Sequence, residues 1–300
     1  MAKSLLITGG TGFIGTVLCR ELLDKGYELT VLSRQDAVSV QDRCGKVSPV
    51  RSLRELDGAA GFDGVINLAG EGIAEKRWSE ARKRALRDSR IALTEELVRS
   101  IGSFKRQPDV MVSGSAVGFY GNQGDRPVDE NTQPVDEFTH RLCRDWEDAA
   151  KPVTENKVRL CFSRTGLVVG RHGGFLQKMI PPFKLCLGGR LGDGKQYMPW
   201  VHRQDVVNAL IWMLETESAS GPYNVVSPNP ATNAEFTKTL GRVLNRPTPF
   251  PAPPFVLKLA LGEMAGLLLT GQRAMPERLL AEGFKFRYPE LEQALTDAVG

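Results

Sequence analysis

Leu5-Leu6-Ile7-Thr8-Gly9-Gly10-Thr11-Gly12-Phe13-Ile14-Gly15 is the stretch whose reading decides the fold. Its short apolar run suits a buried strand. It leads into Gly9-x-x-Gly12-x-x-Gly15 and then into Thr16-Val17-Leu18-Cys19-Arg20-Glu21-Leu22-Leu23, which has helical spacing. Glycines so placed permit a tight strand-to-helix turn. They let a backbone N–H approach a pyrophosphate and let the helix pack close to the strand. The helix N-terminus adds free N–H groups and the positive end of its dipole. The spacing is G-x-x-G-x-x-G, not G-x-G-x-x-G, and glycine-rich turns are common. Strand, glycines and helix in this order make Gly9, Thr11, Gly12, Phe13, Ile14 and Gly15 a candidate dinucleotide site.

Three hundred residues suffice for a large α/β domain with a second lobe. Basic and acidic residues nearly balance, 39 against 35, and no basic block stands out, so a nucleic-acid partner is not expected. Cys19, Cys44, Cys143, Cys161 and Cys186 are dispersed without a C-x-x-C, which points to reduced thiols in a cytoplasmic protein. His140, His172 and His202 lack metal-ligand spacing, so no metal site is expected. The N-terminus reads as a strand, without a long apolar h-region or cleavage site, so a secretion signal is not expected. The most apolar stretch, Phe255 to Leu269, is interrupted by Lys258 and Glu263. It reads as a helix packed on the protein and not as a membrane span, and no membrane partner is expected.

Tyr27 to Arg34 reads as the second strand. Its end lies about 20 residues past the glycine turn, where a carboxylate would bind the ribose 2′-hydroxyl of NAD. Ser33-Arg34 stands there instead. A hydroxyl beside a guanidinium suits a 2′-phosphate, so NADP(H) is the expected cofactor. Residues 35–60 are polar and irregular and yield no clear third strand. Gly64 to Glu71 is a strand ending in small residues, placing Leu68, Ala69 and Gly70 at a cofactor-facing tip. A long helical region follows, roughly Ser79 to Ser100. Asp109 to Ala116 is a strand ending in Ser113 and Ser115, Glu137 to Ala150 a helix, and Lys157 to Arg164 another strand. This alternation predicts a doubly wound parallel α/β sheet. From Arg171 the chain is rich in glycine, as in Leu187 to Gly194, which suits either backbone approaching a ligand or ordinary surface connections.

Thr8-Gly9-Gly10-Thr11-Gly12-Phe13-Ile14-Gly15, Asn67-Leu68-Ala69-Gly70, Ser113-Gly114-Ser115-Ala116, Val201-His202-Arg203-Gln204-Asp205-Val206 and Tyr223-Asn224-Val225 occur in the order seen in extended short-chain dehydrogenases. That family includes the NAD-dependent epimerases and dehydratases, and the resemblance covers nearly the whole chain. Lys76-Arg77-Trp78, Phe138-Thr139-His140 and Gly271-Gln272-Arg273-Ala274-Met275-Pro276 are similar to its atypical YfcH-type epimerase family proteins. The resemblance implies a Rossmann domain over 1–168, to which 199–228 return. It implies a smaller substrate lobe over 169–198 and 229–300, helical from about 249 to 297. NADP(H) would lie between the two. Arg90 and Val168 join the implied cofactor contacts on the resemblance alone.

The family's acid/base is a Tyr-x-x-x-Lys pair beside a serine. Here the corresponding helix places Thr139 and Cys143 at those positions, and neither substitutes chemically. Ser115 remains, and Tyr120 in Gly118-Phe119-Tyr120-Gly121 is the candidate proton donor. The expected activity is that of an NADP-dependent oxidoreductase or epimerase on a small carbonyl or hydroxyl substrate. The alternative is a non-catalytic NADP(H)-binding regulator. Two exposed-looking helices could form a four-helix homodimer interface of the family type.

Overall fold

The computed structural model of the chain describes residues 2–58 and 60–300. Strand β1 (Ser4–Thr8), helix α1 (Gly15–Asp24), β2 (Glu28–Leu32), α2 (Ala37–Cys44) and β3 (Ser48–Val50) form the first half of a sheet. The chain then returns through β4 (Gly64–Asn67), α3 (Glu80–Asp88), α4 (Ile91–Gly102), β5 (Val110–Ala116), a short β6 (Pro127–Val128), α5 (Phe138–Ala150) and β7 (Arg159–Thr165). Next come β8 (Leu167–Val169), α6 (Leu176–Lys184), β9 (Tyr197–Met198), β10 (Trp200–His202), α7 (Arg203–Glu215) and β11 (Gly221–Val225). The remainder is β12 (Ala231–Thr232), α8 (Asn233–Val243), α9 (Pro254–Leu261), α10 (Gly266–Leu269), β13 (Arg273–Ala274), α11 (Glu277–Ala281) and α12 (Leu291–Val299).

Seven strands form one sheet in the order β11-β7-β5-β4-β1-β2-β3, every pair parallel. It is a Rossmann-like sheet with helices on both faces. The two-residue period of a strand divides its side chains between two cores. Leu5 and Ile7 pack with Leu18 and Leu22 of α1 and Val206 and Leu210 of α7. Leu6, Val65 and Met111 pack on the other face with Leu97 and Ile101 of α4. A third cluster, around Val169, Leu176, Trp200, Phe236 and Leu295, lies outside the main sheet. Truncating Leu6, which has no exposed surface, would cost about 2–5 kcal/mol.

Strand order reverses direction between β1 and β4, and a ligand crevice opens outside the carboxyl ends of strands at such a switch point. The structure refines three local expectations. The third strand does exist, but it is a three-residue edge strand with Pro49 at its centre, too short to show a period. The helical region expected from Ser79 to Ser100 is present as two helices, α3 and α4, separated at Ser89–Arg90. The apolar stretch from Phe255 packs on the protein only in its second half: no residue of α9 is buried, whereas Met264 and Ala265 are. No helix among the described residues is long and apolar enough to cross a membrane.

Candidate functional site

Gly9 begins the turn with φ +71, a conformation that favours glycine. A Cβ there would lie 2.6 Å from the carbonyl carbon of Leu68, so the β1 and β4 tips meet only because the side chain is missing. Gly15 is closed to a side chain for the same reason, with Gly9 O 2.2 Å from an added Cβ. The N-cap of α1 is Ile14, which offers no side-chain acceptor, and its first turn has no acidic residue. In α8, by contrast, Thr232 and Glu235 form a capping box. The α1 terminus therefore keeps its N–H groups and dipole for a ligand anion. That fits a dinucleotide pyrophosphate.

The strand tips around the turn rest on a buried polar chain. Thr8 Oγ1 donates to Asn67 Oδ1 (2.6 Å), and Asn67 Nδ2 donates to Thr94 Oγ1 (2.9 Å). Trp146 Nε1 also donates to Thr94 Oγ1 (3.1 Å), and Ala69 N to Thr8 Oγ1 (3.2 Å). These bonds hold Leu68–Gly70 in register with the glycine turn. Ser113 belongs to this chain: it is fully buried, with Asn67 Nδ2 3.5 Å from its hydroxyl. The structure thus places Ser113 beneath the strand tips, in the polar chain that holds them.

Ser33 and Arg34 stand at the β2 tip. The Ser33 hydroxyl accepts from Gln35 N (3.2 Å), and Arg34 is exposed. Arg90 lies under the β4 tip. Its Nη2 donates to Glu71 O (2.8 Å), its Nη1 to Leu86 O (3.2 Å), and its guanidinium lies 5.2 Å from the Trp146 ring. Burial lowers its pKa. Phe13 leaves the glycine turn toward the loop after β8. Added Cβ atoms at Gly173 and Gly174 would come within 2.4 and 2.9 Å of its ring, and Arg203 covers it at 4.6 Å. Val168 borders the same loop, its carbonyl oxygen 2.8 Å from an added Cβ at Gly174. The fold thus brings the glycine turn against Leu68 and Ala69 on one side and, through Phe13, against the loop beside Val168 on the other.

Beyond the β5 tip lies a second cluster. Ser115 Oγ donates to Glu147 Oε1 (2.7 Å). Glu147 is gripped by Arg164, with Nε to Oε1 at 2.8 Å and Nη2 to Oε2 at 2.9 Å. Burial would depress the Arg164 pKa, but its bonds and charge contact with Glu147 prevail and raise it. The guanidinium also stacks on Phe119, 3.5 Å from the ring centre. Tyr120 is anchored here as well. Its hydroxyl donates to Asn224 Oδ1 (2.7 Å) and accepts from Arg164 Nη1 (3.0 Å). It has no exposed surface, and burial pushes its pKa up to about 12. The Tyr120 hydroxyl, expected as proton donor, is thus buried and bonded on both sides.

Thr139 and Cys143 face Gly118, with Thr139 Cβ 3.2 Å and Cys143 Sγ 3.7 Å from an added Cβ there. Burial pushes the Cys143 thiol up to about 12. His140, on the neighbouring face, is buried and bonds Phe119 O through Nδ1 (2.6 Å). Glu147 is the residue that sequence reading missed. A usable signal was present, because Thr139, Cys143 and Glu147 are spaced four apart and so share one helical face.

The sequence matches the NAD dependent epimerase/dehydratase family over residues 5–226 and a domain of unknown function, DUF1731, over 252–298. An epimerase family protein of Mycobacterium leprae is 39% identical over 294 residues, covering 97% of this chain and 94% of its own. The epimerase family protein YfhF of Bacillus subtilis is 36% identical, covering 99% and 98%. The crystal structure of human epimerase family protein SDR39U1 (isoform 2) with NADPH superposes with a TM-score of 0.90 at 34% identity, covering 98% of both chains. Sequence, sheet and glycine turn agree, and the chain belongs to the NAD-dependent epimerase/dehydratase family.

Proposed function

We propose that the protein is an NADP(H)-dependent oxidoreductase or epimerase acting on a small carbonyl or hydroxyl substrate, with Ser115 and Glu147 handling the proton. The observation that carries this reading is the 2.7 Å hydrogen bond from Ser115 to Glu147. The NADPH bound to the similar human protein supports the choice of cofactor. Backbone N–H groups of the glycine turn and α1 would hold the pyrophosphate, and Ser33 with Arg34 the 2′-phosphate. Leu68, Ala69, Gly70, Arg90 and Val168 would border the rest. The nicotinamide, when bound, supplies the hydride chemistry.

Proton handling belongs to the chain's own side chains. As a substrate hydroxyl is oxidised, its proton passes to Ser115 Oγ while the Ser115 proton passes to Glu147. Carbonyl reduction runs the relay backwards. Arg164 fixes the carboxylate in place and acts through it, so it is a positioning residue. Ser115→Ala and Glu147→Gln should each abolish NADPH oxidation against a panel of carbonyl compounds. NADPH affinity of Ser115→Ala should stay within a small factor of wild type. Wild-type turnover that survives Ser115→Ala would overturn the relay.

A second reading is a non-catalytic NADP(H)-binding regulator. It is favoured by Thr139 and the inert, buried Cys143 at the family's acid/base positions. Wild-type protein that binds NADPH but oxidises it with no carbonyl would select this reading.

A further inference from the structure

Two stretches of the chain lack carboxylates, although Asp193 and Glu263 flank them and line a cavity with Pro254 and Lys258 of α9. Residues 172–192 and 236–262 contain no Asp or Glu, in a chain with 35 acidic residues. The two stretches are neighbours in space. Arg246 Nε donates to Lys184 O (3.2 Å), and Ala252 N donates to Arg190 O (2.8 Å). Gly189 abuts Phe250, and Gly192 lies by Pro254 at the start of α9. Within them, Lys178, Lys184, Arg190, Lys238, Arg246 and Lys258 form no ion pair with a carboxylate among the described residues, whereas Arg242 pairs with Glu292.

The same two stretches carry most of the exposed large hydrophobic side chains. Leu185, Leu187, Phe250, Phe255, Val256 and Leu259 lie here, and only Val38, Val135, Leu268 and Leu280 lie elsewhere among the described residues. Leu259 is 79% exposed and Phe255 70%. A soluble surface scatters such residues; a contiguous group marks an interaction site.

We propose that this face, centred on α9 and the Lys184–Arg190 loop, docks the protein onto an anionic lipid surface. Phe255 and Leu259 would enter the headgroup boundary, while Lys184, Arg190 and Arg246 meet lipid phosphates. This is docking from one side and not a span, and it departs from the expectation of no membrane partner. Charge selects lipid over a second copy of the chain. A two-fold dimer through this face would set its six unpaired basic residues against themselves, with only Asp193 and Glu263 at its edge to pair them. The inference does not depend on the catalytic reading.

The test is sedimentation of the full chain with vesicles of phosphatidylcholine, alone or mixed with phosphatidylglycerol. The protein should sediment with the mixed vesicles at low salt and be released as salt is raised. Phe255→Ser with Leu259→Ser should abolish binding, and Lys184→Gln with Arg190→Gln should weaken it roughly thirtyfold, at about 1 kcal/mol per basic residue. Circular dichroism should show all variants folded, since the altered side chains are exposed. Failure of wild type to bind the mixed vesicles, or equal binding by the folded variants, would overturn the proposal. So would a wild-type dimer in sedimentation velocity that Leu259→Asp converts to monomer, because that result assigns the face to a second copy.

Discussion

Ser115 donates its hydroxyl proton to Glu147, and Arg164 on β7 holds the accepting carboxylate with two nitrogens. Glu147 and Arg164 are 4% and 5% exposed, so removing one charge leaves the other buried and unpaired. Glu147→Gln should therefore cost about 3–5 kcal/mol in urea unfolding. Ser115→Ala leaves the ion pair intact and should cost about 0.5–1.5 kcal/mol. Similar losses in the two variants would show that the pair contributes little to the fold.

NADPH should bind more tightly than NADH. Arg34 is exposed at the β2 tip, with no carboxylate at the strand end to repel a 2′-phosphate. Arg34→Ala should remove about 1.5–3 kcal/mol of that preference, the worth of a charged hydrogen bond. Calorimetric titration of wild type with both cofactors is the check, and equal affinities would sink the idea.

Gly9→Ala should destabilise the fold and weaken cofactor binding together. It combines a left-handed backbone with a Cβ pressed onto the β4 tip. Gly26→Ala supplies the control, because Gly26 has φ +85 but nothing within 4 Å of an added Cβ. The control should lose about 1–2 kcal/mol from backbone strain alone and keep its cofactor affinity. Thermal melts with and without NADPH separate the two effects.

Thiol labelling at neutral pH should begin at Cys186, the one cysteine that is not buried. Cys143 should react only after unfolding, because burial raises its thiol to about 12 and denies it solvent. Mass spectrometry of briefly alkylated protein will tell, and early labelling at Cys143 would contradict the burial.

His202 gives the stability a pH dependence. Its Nδ1 accepts from Gln204 N (3.2 Å) at the start of α7, and burial lowers its pKa from 6.5 despite Asp297 at 3.3 Å. The unfolded chain thus binds this proton more readily than the folded one. The stabilising contribution is complete above pH 6.5 and is lost as pH falls from there through the lowered folded value. His202→Asn keeps an acceptor for Gln204 N but does not titrate. The stability difference between wild type and this variant should shrink on acidification from pH 7, and a constant difference would refute the assignment.

The parts of this fold legible in the sequence are the local ones. Strand, glycine turn and helix at residues 5–23 are contiguous, and each constrains the next. The β3 strand was illegible because three residues around a proline carry no period. The break between α3 and α4 was illegible because neither Ser89 nor Arg90 is a breaker; the Arg90 side chain instead bonds backward to Glu71 O and Leu86 O. The spacing of Thr139, Cys143 and Glu147 puts Glu147 on an inward face, but a carboxylate there is stable only because Arg164 reaches it from β7, a partner the local sequence does not show. The surroundings of Tyr120 were illegible for the same reason: Asn224, which accepts from its hydroxyl, lies 104 residues away.

The parallel pairing of β6 with β13 sets Arg273 against Pro127 and Ala274 against Val128, so it joins segments separated by nearly half the chain. Gln272 Nε2 reinforces it by donating to Gly121 O (2.7 Å). Such distant pairing forms slowly, because a large loop must close before the contact rewards it. During synthesis the glycine turn and the β1, β2 and β4 tips can assemble while the residues that tie down the 121–128 loop are still unmade. The glycine turn is thus complete early in the growing chain, and completion of the loop beside Tyr120 waits for about its last thirty residues.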